Sequence, residues 1–409
     1  MINNKLIENY AYLIAKVGAN VQKGEIVFIN ASLDQPDFVT LVVKNCYKLG
    51  AKKVVVNWHH DEVTKLSYKY ETVSSIGNLL PFAVDKYKYM AKKLPTMIHI
   101  ISDDPDAMKG VNQTKVGKAK VKMFSKIKKY RDLMEGKYKW TIAAVPSVKW
   151  AMKVFPNVSK EEAVEKLWNA ILETSRVNEE TTIENWNKHN EFLISQRKKL
   201  QDLKLHKLYY KSANGTDFEV TLIDDCLWGG GIESAPNKGL YNPNIPTEEV
   251  FTSPFYCKCE GKLVASKPLS YDGELIEDFS LTFKDGKVVE VYAKKNQKLL
   301  ERMVKMDEGA SMLGEVALVP YDSPIRNSNI LFYETLFDEN AACHVALGRG
   351  FREILPNSES LTNEECTKLG INNSMIHVDF MVGTKDLNII GEDKQGKRTQ
   401  IFKDGNWAI

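Results

Sequence analysis

The chain has 409 residues, of which 56 are basic and 53 are acidic, so that its net charge is only +3. This length exceeds the usual size of a single domain, and two domains are expected. The nearly balanced charge argues against a nucleic-acid partner or an anionic membrane surface, since both favour a strongly basic protein. No stretch approaches the roughly 20 apolar residues of a membrane span, and the first residues do not form a signal peptide.

The first 205 residues alternate between helical and strand-like patterns. Helical spacing of apolar residues predicts helices at 5–18 and 36–49, with Gly50 ending the second. Apolar runs at 25–30, 53–58, 96–101 and 140–145 predict buried strands. Near-continuous apolar strands in strand–helix–strand order predict an α/β domain with a largely parallel sheet that is covered on both faces. Charged helical patterns follow at 159–177 and 182–205, and the second is expected to bridge two domains.

The composition changes after His206, where short strand-like runs alternate with turn signals such as Asn214-Gly215 and Asp285-Gly286. Strands are predicted at 208–210, 218–223, 281–283, 288–292, 380–390 and 400–402, and a short helix at 298–306. The sequence therefore predicts an α/β domain at 1–205, including the bridging helix, and a β-rich α+β domain at 206–409.

Three motifs are interpreted as structural. The loop His59-His60-Asp61 offers metal ligands, but no partner ligands lie nearby in sequence, so a solvated loop is favoured. The lysine-rich segment 115–131 is interpreted as a solvated helix face, because the net charge is small. The run Gly229-Gly230-Gly231 does not follow a strand and open a helix, and a nucleotide site there is rejected.

The six cysteines are scattered, and only Cys257 and Cys259 are close together. One Cys-x-Cys pair is weak evidence for zinc. The cysteines are therefore interpreted as reduced structural thiols, and a cytoplasmic location is expected.

Carboxylates and imidazoles recur in apolar settings of the second half. His377 and Asp379 lie two apart in a predicted strand, so both side chains leave the same face. Glu315 and His344 each sit in an apolar run, where charge is costly unless it is paired or bound to metal. In an extended segment, adjacent side chains point to opposite faces, so only one of Glu248 and Glu249 can point into the site. These residues indicate a metal site, although a hydrogen-bonded core histidine or a solvent-facing glutamate explains each of them individually.

Four segments in order resemble the M29 family of metallo-aminopeptidases, and the resemblance spans nearly the whole chain. They are Asn244–Pro254, Gly314–Ala317, Glu339–Gly348 and Ser374–Gly383. The resemblance implies a homodimeric exopeptidase acting on peptides with a free N-terminus. The implied metal ligands are Glu249, Glu315, His344, His377 and Asp379.

Three carboxylates and two imidazoles suit two divalent ions of the Zn, Co or Mn type, with Glu315 favoured as the bridging ligand. Glu248 and Glu339 are the candidate general bases, and Glu339 could instead be a further ligand or support His344. The family commonly has a tyrosine at the position of Phe351, and its absence removes a hydrogen-bond donor. A weakly active relative, a related metal-dependent amidase or esterase, and a metal-free binding protein are the alternatives.

Overall fold

The structure is a computed structural model, and it describes residues 3–409. The chain forms two compact units. The first comprises the residues up to Asn187 together with Ile232–Ile245, and the second comprises Lys188–Gly231 and Pro246–Ile409. The chain first crosses between the units inside the helix Thr182–Asp202, upstream of the boundary at residue 205 that the sequence predicts.

The helices are short to medium in length, and within residues 3–409 none has the length and apolar character needed to span a membrane. The α-helices are α1 (Asn4–Leu13), α2 (Pro36–Lys48), α3 (Asp61–Tyr70), α4 (Val73–Gly77), α5 (Pro81–Lys93), α6 (Gln113–Met134), α7 (Val148–Val154), α8 (Lys160–Thr174), α9 (Thr182–Asp202), α10 (Gln297–Met303), α11 (Pro324–Asn327), α12 (Thr335–Asp338) and α13 (Asn363–Lys368). A π-helical turn (Ile14–Gly18) continues α1, and 3-10 turns lie at Gly309–Ser311, Glu339–Ala341, Arg352–Ile354 and Ser358–Ser360.

The strands are divided between the two units. They are β1 (Ile26–Ser32), β2 (Lys53–His59), β3 (Thr96–Ile101), β4 (Trp140–Ala144), β5 (Leu205–Lys211), β6 (Asp217–Leu222), β7 (Glu233–Ala235), β8 (Gly239–Tyr241), β9 (Asn244–Ile245), β10 (Val250–Thr252), β11 (Pro254–Val264), β12 (Leu269–Tyr271), β13 (Glu274–Lys284), β14 (Lys287–Lys295), β15 (Leu313–Leu318), β16 (His344–Gly348), β17 (His377–Met381), β18 (Asn388–Asp393), β19 (Arg398–Lys403) and β20 (Asn406–Trp407).

Local sequence signals account for several helix ends. Helix α2 begins with Pro36, whose fixed φ suits the first helical position. It ends before Gly50, which adopts a φ of +97° as the predicted terminating glycine. Helix α1 begins after Asn3, whose side chain accepts a hydrogen bond from the backbone of Lys5.

The main sheet of the first unit is parallel throughout, in the order β2–β1–β3–β4–β9. Strands β1 and β3 have neighbours on both sides and are mostly buried, whereas the edge strand β2 is largely half-exposed. This arrangement confirms the predicted parallel α/β architecture.

The second unit contains two antiparallel sheets. One has nine strands in the order β12–β13–β11–β6–β5–β18–β19–β20, with β14 paired to β13, and the other has the order β10–β15–β16–β17. A single hydrophobic core takes residues from both sheets, such as Leu281 from the first and Val345 from the second. Every residue of β15 and β16 is buried. The smaller sheet therefore presents its polar side chains inside the protein rather than to solvent.

Two element boundaries differ from the predictions. The predicted strand at 380–390 is two strands, β17 and β18, which belong to different sheets and are separated by residues 382–387. Gly383 packs its Cα close to Cys343, at a point where the chain leaves the smaller sheet. The helix predicted to reach residue 205 ends at Asp202, because β5 pairs with β6 and β18 from Leu205 onwards.

Candidate metal centre

The four-stranded sheet brings together the five residues that the resemblance implied as ligands. Glu315 lies on β15, His344 begins β16, and His377 and Asp379 lie on β17. Glu315 and Asp379 both pair with Ala346 from opposite sides, which puts them in one row across the sheet. Glu249 directly precedes β10, the neighbour of β15. Residues far apart in sequence therefore converge because their strands are neighbours.

The ligand atoms form two groups that share one carboxylate. Glu249, Glu315 and His344 make the first group, and Glu315, His377 and Asp379 make the second, with the candidate ligand atoms of each group within 4.8 Å of one another. Nε2 of His344 lies 3.2 Å from Oε2 of Glu249. Nε2 of His377 lies 3.2 Å from Oε2 of Glu315 and 3.4 Å from Oδ1 of Asp379. Glu315 is thus the residue common to both groups.

Each histidine is oriented through its other ring nitrogen. Nδ1 of His344 lies 3.2 Å from the carbonyl oxygen of Ala342, and Nδ1 of His377 lies 2.6 Å from that of Arg349. A carbonyl oxygen can only accept, so Nδ1 carries the proton in both rings. Both Nε2 atoms are thereby directed at the carboxylates, as is usual for histidines that bind metal.

Burial and mutual charge determine how these groups ionise without a cation. Burial raises the pKa of the Glu315 carboxyl to about 7, despite the opposing effect of His377. Burial alone would lower the pKa of His344, but the neighbouring Glu249 carboxylate and the other acids raise it to about 10. At His377, burial again lowers the pKa, but Asp379 and Glu315 outweigh this effect and raise the pKa well above its usual value. Protonated imidazoles therefore supply the positive charge that these buried carboxylates need.

Two observations on Asp379 indicate that this group of side chains would accommodate a divalent cation. Oδ1 of Asp379 is buried and makes no well-aligned hydrogen bond, and its contact with Nε2 of His377 at 3.4 Å is an ion pair. A buried carboxylate oxygen with incomplete hydrogen bonding is costly, and a cation would satisfy it. The pKa of Asp379 is about 2, because His377 and His344 outweigh the effect of burial. Its carboxylate is thus already ionised, which is the form that binds metal.

Of the two predicted general bases, Glu339 is close enough to Asp379 and Glu249 for their charges to act on it, and Glu248 directly precedes Glu249 in the chain. Glu248 is 3% exposed, and its backbone N–H donates to Oδ1 of Asn340 at 2.7 Å. Glu339 begins a 3-10 turn, and burial, together with Asp379 and Glu249, raises its pKa well above the usual value. Neither residue belongs to the two groups of candidate ligand atoms.

The glycine run at 229–231 has a structural role that the sequence did not indicate. Gly229 exchanges backbone hydrogen bonds with Phe251, at 2.8 and 3.1 Å. Gly230 adopts a φ of +121°, and a Cβ added there would lie 2.2 Å from the carbonyl oxygen of Glu249. The run therefore packs against the Glu249 backbone. Its only sequence signal is the absence of side chains, which a tight backbone contact requires.

Phe351, the departure from the family pattern, is close to the centre. Its ring lies 4.9 Å from the His377 ring and 5.0 Å from the Phe251 ring, measured between centroids. Its backbone N–H donates to Oγ of Ser253 at 2.8 Å. The position is therefore one from which a hydroxyl group on the ring could affect the site.

A second group of candidate ligands lies in the first unit. Nε2 of His59 is 2.9 Å from Oδ1 of Asp103, and Asp61 completes the group. His59 ends β2 and Asp103 follows β3, and these two strands flank β1 in the parallel sheet. Their carboxyl ends therefore lie at the same edge of the sheet, which supplies the partner that the sequence did not reveal. The side chains of His59 and Asp103 are 41% and 49% exposed, which agrees with the interpretation of a solvated loop.

Comparison with known proteins gives consistent matches over the full length. The model of the M29 family, described as thermophilic metalloprotease, matches residues 3–407. Aminopeptidase AmpS of Bacillus subtilis is 41% identical over 404 residues, with 98% of each chain covered. Aminopeptidase 2 of Geobacillus stearothermophilus is 38% identical over 99% of this chain and 98% of its own length. The structure of wild-type AmpT from Thermus thermophilus superposes with a TM-score of 0.90 at 35% identity, covering 99% of this chain and all of AmpT.

Proposed function

The chain belongs to the M29 family of metalloproteases, and from that membership we propose that it is an aminopeptidase releasing N-terminal amino acids from peptides. The observation that carries the proposal is the buried pair of donor groups that share Glu315. Relatives that match it over their full length are named aminopeptidases, which favours this chemistry over other metal-dependent hydrolysis.

We propose two divalent cations. Glu249 and His344 would hold one, His377 and Asp379 the other, and Glu315 would contact both. Two imidazoles and three carboxylates suit Zn²⁺, Co²⁺ or Mn²⁺. Such ions supply Lewis acidity when bound, since they polarise a carbonyl group and lower the pKa of water.

The remaining steps fall to the protein's own side chains. Glu248 would take the proton from the attacking water as general base and return it to the leaving amine. Its backbone N–H and the carbonyl of the preceding Thr247 are both held by hydrogen bonds, which favours a fixed direction for the side chain. Glu339 is the other candidate base, or it supports His344. A carboxylate near the centre would bind the free α-ammonium group of a peptide, which would limit cleavage to the first residue.

Three finer points are also proposals. The protein is a homodimer, which light scattering coupled to size-exclusion chromatography tests. It is cytoplasmic, as the cysteine usage suggests. A metal-dependent amidase remains the alternative activity.

The experiment compares a leucyl chromogenic amide with the same compound acetylated on its amino group. The protein is dialysed against chelator and then assayed with Zn²⁺, Co²⁺ or Mn²⁺. We expect metal-dependent cleavage of the free-amine compound only. Equal cleavage of both compounds would indicate an amidase, and no cleavage with full metal loading would indicate an inactive relative. Elemental analysis that shows no metal retained after reloading and dialysis against chelator-free buffer would contradict the proposal altogether.

A further inference from the structure

Both polar atoms of one peptide group, the one between Thr247 and Glu248, are held by buried side chains. Nε2 of His189 lies 2.7 Å from the carbonyl oxygen of Thr247, so this nitrogen donates to it. The N–H of Glu248 donates to Oδ1 of Asn340 at 2.7 Å. His189 is 8% exposed and Asn340 is fully buried. We name these two contacts the peptide clamp.

The clamp residues are themselves fixed by other contacts. The side-chain amide of Asn340 donates to the carbonyl of Leu336 at 2.9 Å, and Oγ of Ser323 donates to the carbonyl of Asn340 at 3.1 Å. His189 belongs to α9, and it comes from a different part of the chain than Asn340. Two separate elements therefore set the plane of a single peptide group.

The plane of that peptide group sets the direction in which the Glu248 side chain leaves the backbone. Rotating the plane changes ψ of Thr247 and φ of Glu248, and the rotation of φ swings the bond from Cα to Cβ. Nε2 of His189 is also 3.8 Å from Oε2 of Glu248. This distance is too long for a hydrogen bond, but it shows that the Glu248 carboxylate lies near the His189 ring. The carbonyl of Glu249, two residues after Thr247, packs closely against Gly230. The clamp thus acts where the chain has little other freedom.

We propose that His189 and Asn340 are positioning residues for the reaction, because the peptide clamp aims the Glu248 carboxylate at the reacting water. This inference rests on the proposed function, in which Glu248 is the general base. A displacement of about 1 Å at a catalytic group can lower the rate by roughly 100-fold. His189 itself need not touch substrate or metal.

The test uses a matched pair of substitutions, His189→Gln and His189→Asn. Glutamine places an amide N–H near the position of Nε2, whereas the shorter asparagine cannot reach it. We expect His189→Gln to retain kcat within about 3-fold and His189→Asn to lower kcat by about 10- to 100-fold. KM for the leucyl amide and the metal content per chain should stay unchanged in both. The control for removing a histidine is His206→Asn, which replaces a half-exposed histidine that pairs with Asp224.

Each outcome decides the proposal. Equal kcat in the two variants, whether high or low, would overturn it, because the hydrogen bond to Thr247 would then make no difference. Loss of metal, or of folding measured as Tm, in both variants would assign His189 to stability and overturn it as well. If the metal-loaded wild type fails to cleave the leucyl amide, the proposed function fails first and the clamp with it. An Asn340→Asp variant, which keeps the acceptor for Glu248, should retain more kcat than Asn340→Leu if the clamp acts as proposed.

Discussion

Nε2 of His344 lies 3.2 Å from Oε2 of Glu249, although one residue begins β16 and the other precedes β10. Both side chains are buried, at 1% and 7% exposure. Without a cation, this contact is an ion pair between an imidazolium and a carboxylate. With a cation, we expect the same two atoms to be ligands, and their separation is already close to that of two atoms that each lie about 2.0 to 2.1 Å from one tetrahedral ion. Protons and a metal ion would therefore compete for the same two atoms.

Replacing the shared carboxylate tests the centre most directly. Glu315→Gln keeps the shape of the side chain but weakens its affinity for metal, so metal content should fall and release of amino acids should drop by more than about 100-fold. The Tm of the metal-free protein should not decrease, because the amide removes a buried charge. The measurements are elemental analysis, a chromogenic assay and thermal unfolding.

The control for this substitution is Glu219→Gln. Glu219 forms a partly exposed ion pair with Lys207 at 3.0 Å, in the larger sheet of the same unit. It should change neither metal content nor activity. Full activity in Glu315→Gln would rule out the role of Glu315.

Metal affinity should rise with pH. In the metal-free protein His344 keeps a proton until pH approaches its pKa of about 10, and Glu315 until about 7. Both must lose that proton to bind a cation, so protons compete with metal throughout this range. Titrations in buffers of different ionisation enthalpy should detect proton release at neutral pH. An affinity that is flat or falls between about pH 6 and 9 would contradict this prediction.

The stability of the metal-free protein should change in the opposite direction. The pKa of His344 is raised from 6.5 to about 10 on folding. Its contribution is fully present below about pH 6.5 and is lost as pH rises through about 10. The unfolding temperature of the metal-free protein should therefore fall further below that of the metal-loaded protein as pH increases. Calorimetry with and without chelator can measure this difference. A metal-free protein that gains stability over this range would exclude the charge arrangement described.

Phe351→Tyr should raise turnover if the missing hydroxyl group limits the rate. The Phe351 ring is close to His377, and a new donor there could bind the developing oxyanion, an effect worth up to about 100-fold in kcat. Phe192→Tyr, on an exposed face of α9, is the control. An unchanged kcat in the Phe351 variant would mean that this position takes no part in the reaction.

Gly230→Ala should disturb the Glu249 backbone. Its φ of +121° disfavours a side chain, and the added Cβ would meet the Glu249 carbonyl at 2.2 Å. We expect a loss of about 3 kcal/mol or more in unfolding free energy and weaker metal binding. Gly396→Ala isolates the backbone strain, since Gly396 has a φ of +81° and no neighbour within 4 Å of the added Cβ. Equal effects of the two substitutions would show that the contact with Glu249 is unimportant.

Much of the architecture follows from local pattern alone. The apolar run 96–101 specified a buried strand, and Gly50 specified a helix end, because these features depend on neighbouring residues and on φ preferences. The run 53–58 specified a strand, but the prediction that it is buried was wrong, because β2 lies at the edge of the sheet. The break after Met381 was missed, because apolar residues continue on both sides of residues 382–387. The assignment of β17 and β18 to different sheets depends on partners elsewhere in the chain.

The sequence by itself determined which residues could bind metal, since carboxylates and imidazoles in apolar surroundings require a partner. Only the tertiary structure decided that Glu315 belongs to both donor groups, because that depends on the register of β15, β16 and β17. It also brought His189 and Gly230 into contact with the 247–249 segment, although these residues are distant along the chain. Strand register and side-chain contact are long-range properties, and no local pattern encodes them.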